Sequence, residues 1–206
     1  MAQQDQAAST REPVEGIVIG ASAGGIEALM ALLPALPTGL RAPVFVVLHL
    51  PRDRKSLLVD IFRPRCRLAV REAHDKELAV GGTVYFAPPD YHLLLDAGRG
   101  GQVQLALSVD EPVNYSRPSI DVLFESAADV YRRRLMGIVL TGGNHDGAAG
   151  LHAIRRAGGV TVVQDPADAQ VSLMPASALA LGPVDLMLSL GDMGGLLKML
   201  HDGEDK

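Results

Sequence analysis

The sequence predicts an α/β fold: a doubly wound, mainly parallel sheet with flanking helices and an antiparallel hairpin insertion. Three observations predict it. Continuous apolar runs such as Gly16–Ile19, Pro43–Leu48 and Met136–Leu140 read as strands buried on both faces. Helical patterns with apolar residues three and four apart alternate with these runs, which implies right-handed βαβ units in one sheet. The composition, with little aromatic content, no Trp and many Ala, Val, Leu and Gly residues, suits a parallel sheet covered by helices.

Each element has a local reason. Residues 1–13 form a polar lead-in expected to be disordered. Glu15–Ile19 is the first strand. Gly25–Leu36 follows as a helix, with Ile26, Leu29, Met30, Leu32, Leu33 and Leu36 on its apolar side and Pro34 and Pro37 eroding its end. Pro43–His49 is a second apolar strand that ends on a polar residue, and Pro51 stops it. Ser56–Phe62 is a short helix and Leu68–Val70 a short strand. Thr83–Ala87, His92–Leu95 and Val103–Leu107 are strand-like and separated by the turn signals Pro88-Pro89-Asp90 and Gly98-Arg99-Gly100-Gly101. Such short connections make hairpins, so this region is expected to be an antiparallel insertion or edge. Pro118 opens a helix that runs to about Arg134, and Met136–Thr141 is a buried strand. The loop Gly142–Gly147 leads to a helix over Ala148–Ala157. Val160–Val163 is a strand, Pro175–Leu181 a helix, Val184–Leu188 a strand and Gly194–His201 a closing helix. One domain is expected over residues 14–201, with a flexible tail over 202–206.

Composition excludes several classes. A net charge of −5 with mixed signs argues against nucleic acid as a partner. A single cysteine, Cys66, excludes an internal disulfide framework and a cysteine-rich metal site. It lacks the glycine turn or cap of a reactive thiol. No apolar run approaches membrane-spanning length, so no membrane insertion is expected. The residues before Pro13 contain no apolar signal region, and a cytoplasmic location is the default. No cofactor and no metal are expected, because His74, Asp75, Asp90, His92, His152 and His201 lack a ligand-spacing pattern.

The stretch Gly20-Ala21-Ser22-Ala23-Gly24-Gly25 lies between the first strand and the first helix. It puts Ser22 at the C-terminal rim of a parallel sheet, where open α/β sheets bind ligands. The helix start supplies backbone N–H groups and a positive dipole end suited to an oxyanion. Ser22 is either a nucleophile there or part of a plain tight turn or phosphate cradle; the glycine spacing fits no nucleotide motif. His49 ends the second strand and Asp146 follows the Met136 strand, so both reach the same rim. A serine hydroxyl becomes nucleophilic when an imidazole takes its proton and a carboxylate orients the imidazole. The competing roles are a hydrogen-bonded structural His49 and an Asp146 that caps its own helix. His145, next to Asp146, suits a loop or capping role better than that of a base or metal ligand. Arg132-Arg133-Arg134 is a solvated helix end or a patch for an acidic partner. Arg117, in a loop before a helix, faces the rim.

Several segments resemble the catalytic domain of the CheB-type chemotaxis protein-glutamate methylesterases. Ile19-Gly20-Ala21-Ser22-Ala23-Gly24-Gly25 resembles their nucleophile segment, and His49-Leu50-Pro51 their H-M-P. Arg117-Pro118-Ser119-Ile120-Asp121-Val122-Leu123-Phe124 matches R-P-S-x-D-x-L-F. Leu140-Thr141-Gly142 with Asp146-Gly147-Ala148-Ala149-Gly150 resembles L-T-G-x-x-x-D-G-A-x-G. Met174-Pro175 and Tyr85-Phe86-Ala87-Pro88 with His92 complete the ordered set, which spans about Gly16 to Leu188.

The resemblance implies hydrolysis of glutamate γ-methyl esters on methyl-accepting chemoreceptors or similar methylated proteins, and deamidation of glutamine at such sites. By motif, Ser22 is the nucleophile, His49 the base and acid, and Asp146 the orienting carboxylate. Backbone N–H groups near Ala23 and Gly143 are the oxyanion donors, and Arg117 and Met174 line the site. Three positions depart from the family pattern. Ala23 replaces a usual Thr, Leu48 a frequent Gln, and Gly143-Asn144-His145 precedes the aspartate where M-G-N is usual. The family typically carries an N-terminal receiver domain. Only about fifteen residues precede the first strand here, so a stand-alone form is expected, constitutively active or controlled by a separate regulatory protein. The alternatives are a low-turnover scaffolding module of a chemosensory pathway and a small-molecule esterase.

Overall fold

The computed structural model describes residues 12–50 and 56–200. In chain order its elements are β1 (Gly16–Ala21), α1 (Gly25–Leu32), β2 (Val44–Leu48), α2 (Leu58–Phe62), β3 (Ala69–Glu72), β4 (Thr83–Phe86), β5 (His92–Ala97), β6 (Val103–Ser108), α3 (Ile120–Tyr131), β7 (Leu135–Val139), α4 (Ala148–Arg156), β8 (Val160–Gln164), α5 (Leu173–Leu181), β9 (Leu186–Leu188) and α6 (Leu190–Lys198). Among the described residues, seven strands make one parallel sheet in the order β3-β4-β2-β1-β7-β8-β9, and β5 and β6 make a separate antiparallel pair.

Every residue of β1, β2 and β7 is buried, as continuous apolar strands covered on both faces require. On one face, Ile17, Ile19, Val44 and Val46 meet Leu29 and Leu32 of α1, Phe62 of α2 and Leu197 of α6. On the other, Val18, Phe45 and Val47 meet Phe124 of α3, Leu151 of α4 and Leu93 of β5. Each such side chain contributes roughly 1.5–3 kcal/mol when fully buried. The chain places β2, β3 and β4 on one side of β1, with β4 between β2 and the edge strand β3, then returns to place β7 on its other side. The boundary of β1 and β7 is therefore the switch point at which open sheets form a crevice.

The doubly wound sheet and the hairpin agree with the sequence reading, with one correction. Thr83–Ala87 is not part of the antiparallel insertion. As β4 it lies within the parallel sheet, pairing Val84 with Val44 on one side and Val70 on the other. All four of its residues are buried. Tyr85 stacks on Phe45 at 5.6 Å and Phe86 on Phe62 at 5.3 Å, one on each face. A strand that fills both layers belongs inside the sheet. The short connection then turns out of the sheet plane, with Asp90 at φ 63, instead of folding β5 back on β4.

Several ends also move. The first helix stops at Leu32, and Leu33–Ala35 continues as a single tighter turn around Pro34. The helix opened by Pro118 starts at Ile120 and stops at Tyr131, with Arg132–Arg134 forming one further 3₁₀ turn. The last helix starts at Leu190, because Ser189 caps it by accepting from the Asp192 N–H. Pro51, His201, the residues before Glu12 and the proposed tail lie outside the described residues.

Candidate active site

Three strand ends define the rim. Ala21 pairs with Leu48 across β1 and β2, and the His49 N–H donates to the Ala21 carbonyl at 3.1 Å. Ser22 and His49 are therefore the next residues on two neighbouring strands, which run about 4.8 Å apart. Ser22 donates its N–H to Thr141 at the end of β7 (3.0 Å), and its carbonyl accepts from Gly25 (2.8 Å). The turn closes on Gly24, which caps α1 at φ 78, a conformation that disfavours side chains.

Asp146 reaches this rim from the loop after β7. Its Oδ2 lies 2.9 Å from His49 Nε2, and the carboxylate is fully buried. It does not cap its own helix; Gly147 holds that position. It caps α3 instead. Oδ2 accepts from the Ile120 N–H (2.6 Å), and Oδ1 accepts from Ser119 Oγ (2.8 Å), Asn114 Nδ2 (2.9 Å) and the Asp121 N–H (3.2 Å). Burial alone would raise its pKa. The bonds from His49, Asn114 and the Ile120 amide outweigh burial and hold the carboxyl below its usual range.

An ionised Asp146 accepts a hydrogen bond from the Nε2–H of His49, which leaves Nδ1 as the ring's acceptor. That is the reverse of the more common arrangement, in which the carboxylate holds Nδ1. Asn144 Nδ2 stands 3.5 Å from Nδ1, a long contact, and Asn144 Oδ1 accepts the Asp146 N–H at 3.1 Å. Among the described residues the Ser22 hydroxyl makes no hydrogen bond to the ring. Such bonds are often loose before substrate binds.

Among the described residues, the backbone N–H groups of Ala23 and Gly143 have no hydrogen-bond partner. Both residues are exposed. The Ala23 peptide is held from behind: Thr141 Oγ1 donates to the Ala23 carbonyl at 2.8 Å and accepts from the Val171 N–H at 2.9 Å. Met174 is buried beside Ser22. A Cβ at Gly142 would stand 2.5 Å from its methyl carbon and 3.0 Å from Ser22 Cβ, so a larger residue there would displace the Met174 side chain. Arg117 is placed differently. Its guanidinium donates to Asp90 (2.7 and 3.0 Å) and to the carbonyls of Val109 (2.8 Å) and Asp110 (3.0 Å). It braces the loop that carries Asn114.

Other candidates have structural partners. His92 is buried, with Nδ1 accepting the Ser119 N–H at 3.1 Å and Nε2 3.2 Å from the Glu111 carbonyl. His145 is exposed and lies 3.2 Å from Asn114 Oδ1. Burial pushes the Cys66 thiol up to about 11, which suppresses its thiolate. Among the described residues no group of three His, Cys, Asp or Glu side chains is arranged to hold a metal. Asn114, Asn144 and Thr141 went unsingled by sequence reasoning. Asn114 lies in a left-handed Asn114-Tyr115 turn, and its side chain reaches Asp146, 32 positions away.

Comparison with known proteins supports a single family. A family model described as CheB methylesterase matches residues 17–197. A protein of Leptospira interrogans is 47% identical over 176 residues, covering 85% of this chain and 89% of that protein. A protein-glutamate methylesterase/protein-glutamine glutaminase of Maricaulis maris is 37% identical over 190 residues, which cover 92% of this chain and 47% of that longer protein. The crystal structure of the Thermotoga maritima CheB methylesterase catalytic domain superimposes with a TM-score of 0.87 at 32% identity, covering 92% of this chain and all of that one. By sequence and by fold, this chain belongs to the CheB methylesterase family.

Proposed function

We propose that this protein hydrolyses γ-methyl esters of glutamate side chains on a methylated receptor, through Ser22, His49 and Asp146. The observation that carries the proposal is the 2.9 Å contact of His49 Nε2 with buried Asp146, at a strand end registered beside that of Ser22. His49 Nδ1 takes the hydroxyl proton as Ser22 Oγ attacks the ester carbonyl. The N–H groups of Ala23 and Gly143 receive the negative oxygen. The imidazolium returns its proton to the departing methoxide, so methanol leaves and an acyl-serine remains. Water then attacks with His49 again as base, and the free glutamate and serine are regenerated. Asp146 fixes the ring and stabilises its charged form throughout. Glutamine deamidation follows the same path with ammonia as the leaving group. The substrate chemistry is supported by the name of the Maricaulis maris relative. Met174 packs beside the nucleophile, and Arg117 braces the loop that carries Asn114. The reading includes a cytoplasmic location, a methylated chemoreceptor as partner, and no cofactor.

Methanol release from membranes carrying methylated receptor tests the proposal. Wild-type protein is expected to release methanol and Ser22→Ala to release none while staying folded. Release by Ser22→Ala at the wild-type rate would refute the nucleophile. No release by either protein, with receptor binding intact, would favour a scaffolding role. The long Asn144 contact on His49 Nδ1 is the observation that gives that role weight.

A further inference from the structure

The two helices that meet behind Asp146 are capped across one another. Asp146, before α4, accepts the first N–H groups of α3, from Ile120 and Asp121. Asp121, in the first turn of α3, returns the arrangement: its Oδ1 accepts the N–H groups of Gly147 (2.9 Å) and Gly150 (2.7 Å) at the start of α4. Neither helix is capped by the side chain of its own N-cap residue. Asn114 closes the junction. Its Nδ2 donates to Asp121 Oδ2 at 2.8 Å and to Asp146 Oδ1 at 2.9 Å, so one amide uses both hydrogens on two carboxylates.

This arrangement has a mechanical consequence. A carboxylate that orients an imidazole must hold its own torsions. Asp146 sits in a loop that passes through Gly147 at φ 95, a mobile type of residue on its own. Asp121 ties that loop end to α3 through two backbone amides. It also occupies the second amide hydrogen of Asn114, which stops the amide from rotating away from Asp146. We propose that Asp121 is a positioning residue for the esterase reaction, fixing Asp146 and through it the His49 ring. The inference rests on the triad reading given above.

The electrostatics fit this role. Burial pushes the Asp121 carboxyl up to about 6; the Gly150 amide and Asn114 oppose this, and the charges of Asp146 and Glu125 add to it. The groups facing it are Asp146 and the Gly147 and Gly150 amides from the α4 side, Asn114 from the bracing loop with His145 behind it, and Glu125 on its own helix. Among the described residues no Lys or Arg pairs with Asp121, and hydrogen bonds from Asn114 and the Gly147 and Gly150 amides hold it beside Asp146.

Two variants test the proposal in the full chain. Asp121→Asn keeps the shape and one acceptor for the α4 amides, but presents an amide to Asn114. Asn114→Gly removes the bridge and keeps a residue suited to φ 51. With p-nitrophenyl acetate as substrate, each is expected to lower kcat by about 10- to 10²-fold while KM stays within about twofold. In proton NMR of the resting protein, the low-field resonance of the proton between His49 and Asp146 is expected to broaden or move upfield in both. Circular dichroism checks folding. Should Asp121→Asn fail to fold, Asn114→Gly decides alone. Folded variants with wild-type kcat and an unmoved resonance would overturn the proposal. Ser22→Ala run in parallel separates the two claims: its full activity would sink the triad reading instead.

Discussion

Three helix N-termini converge on one rim, and they are filled differently. The starts of α3 and α4 hold the buried carboxylates of Asp146 and Asp121, which take their free N–H groups. The start of α1, beside Ser22, has no side-chain cap, only Gly24. A helix N-terminus favours negative charge. Two of these ends are satisfied by buried carboxylates, and the third has no side-chain cap, as the proposed oxyanion role requires. The same asymmetry divides the two faces of the sheet. The α1, α2 and α6 face is packed with Ile, Leu, Val and Phe. The α3 and α4 side carries Ser119, Asp121 and Asp146, all buried. Both faces carry a buried apolar core, and the α3 and α4 side adds buried polar groups that fix geometry.

Breaking the polar side should cost activity most. Asp146→Asn leaves the ring partner in place but removes the charge and presents an amide to the α3 donors. The expected loss in kcat is roughly 10⁴-fold, measured with p-nitrophenyl acetate, and the variant should also melt earlier. Thr141→Val leaves both N–H donors in place but frees the Ala23 carbonyl and orphans the Val171 N–H. Removing an oxyanion donor outright costs roughly 10²–10³-fold; loosening one should cost about tenfold in kcat with little change in KM.

The apolar side should respond in the opposite way. Leu29→Ala, at a fully buried position on α1, is expected to lower unfolding free energy by about 2–5 kcal/mol in urea titration. Activity per folded molecule should stay at the wild-type level. A large loss there would mean that the two faces are not separable.

The smallest expected effect is a pH dependence. Asp121 keeps its proton up to about 6 in the folded protein, against a usual 3.8. Between those values the folded state binds more protons than the unfolded one, so this group's contribution to stability falls as pH rises from 3.8 to about 6. Asp146 acts in the other direction. Its lowered value contributes stability above 3.8 that is lost as pH falls through the folded value. Urea midpoints should therefore show a fall between 3.8 and about 6 in the wild type that is absent in Asp121→Asn.

Which parts were legible in the sequence follows from range. The apolar runs of β1, β2 and β7 announce buried parallel strands, and a polar residue at the end of each announces the rim. Ser22, His49 and Asp146 were singled out that way. Thr83–Phe86 carries the same apolar signal, but the turn residues behind it suggested a hairpin. The direction of a short turn depends on α3, which receives β5 through the bond from the Leu95 N–H to Ser126 Oγ. Asp121 was visible only within the Arg117–Phe124 segment, with no sign of its partners, and Asn114 was not singled out. Their work is done across 25 to 32 positions of sequence, where no local pattern reaches. Arg117 was read as facing the rim, and its salt bridge to Asp90 depends on a hairpin that the sequence placed only approximately.

The claim at the centre is that Ser22 is the one hydroxyl made reactive at this rim by His49. Labelling with a fluorophosphonate, followed by peptide mass spectrometry, tests it most directly. The account predicts a single adduct on the peptide that carries Ser22, formed far more slowly in His49→Gln. A folded protein left unlabelled at Ser22, or labelled there equally fast without the imidazole, would contradict it.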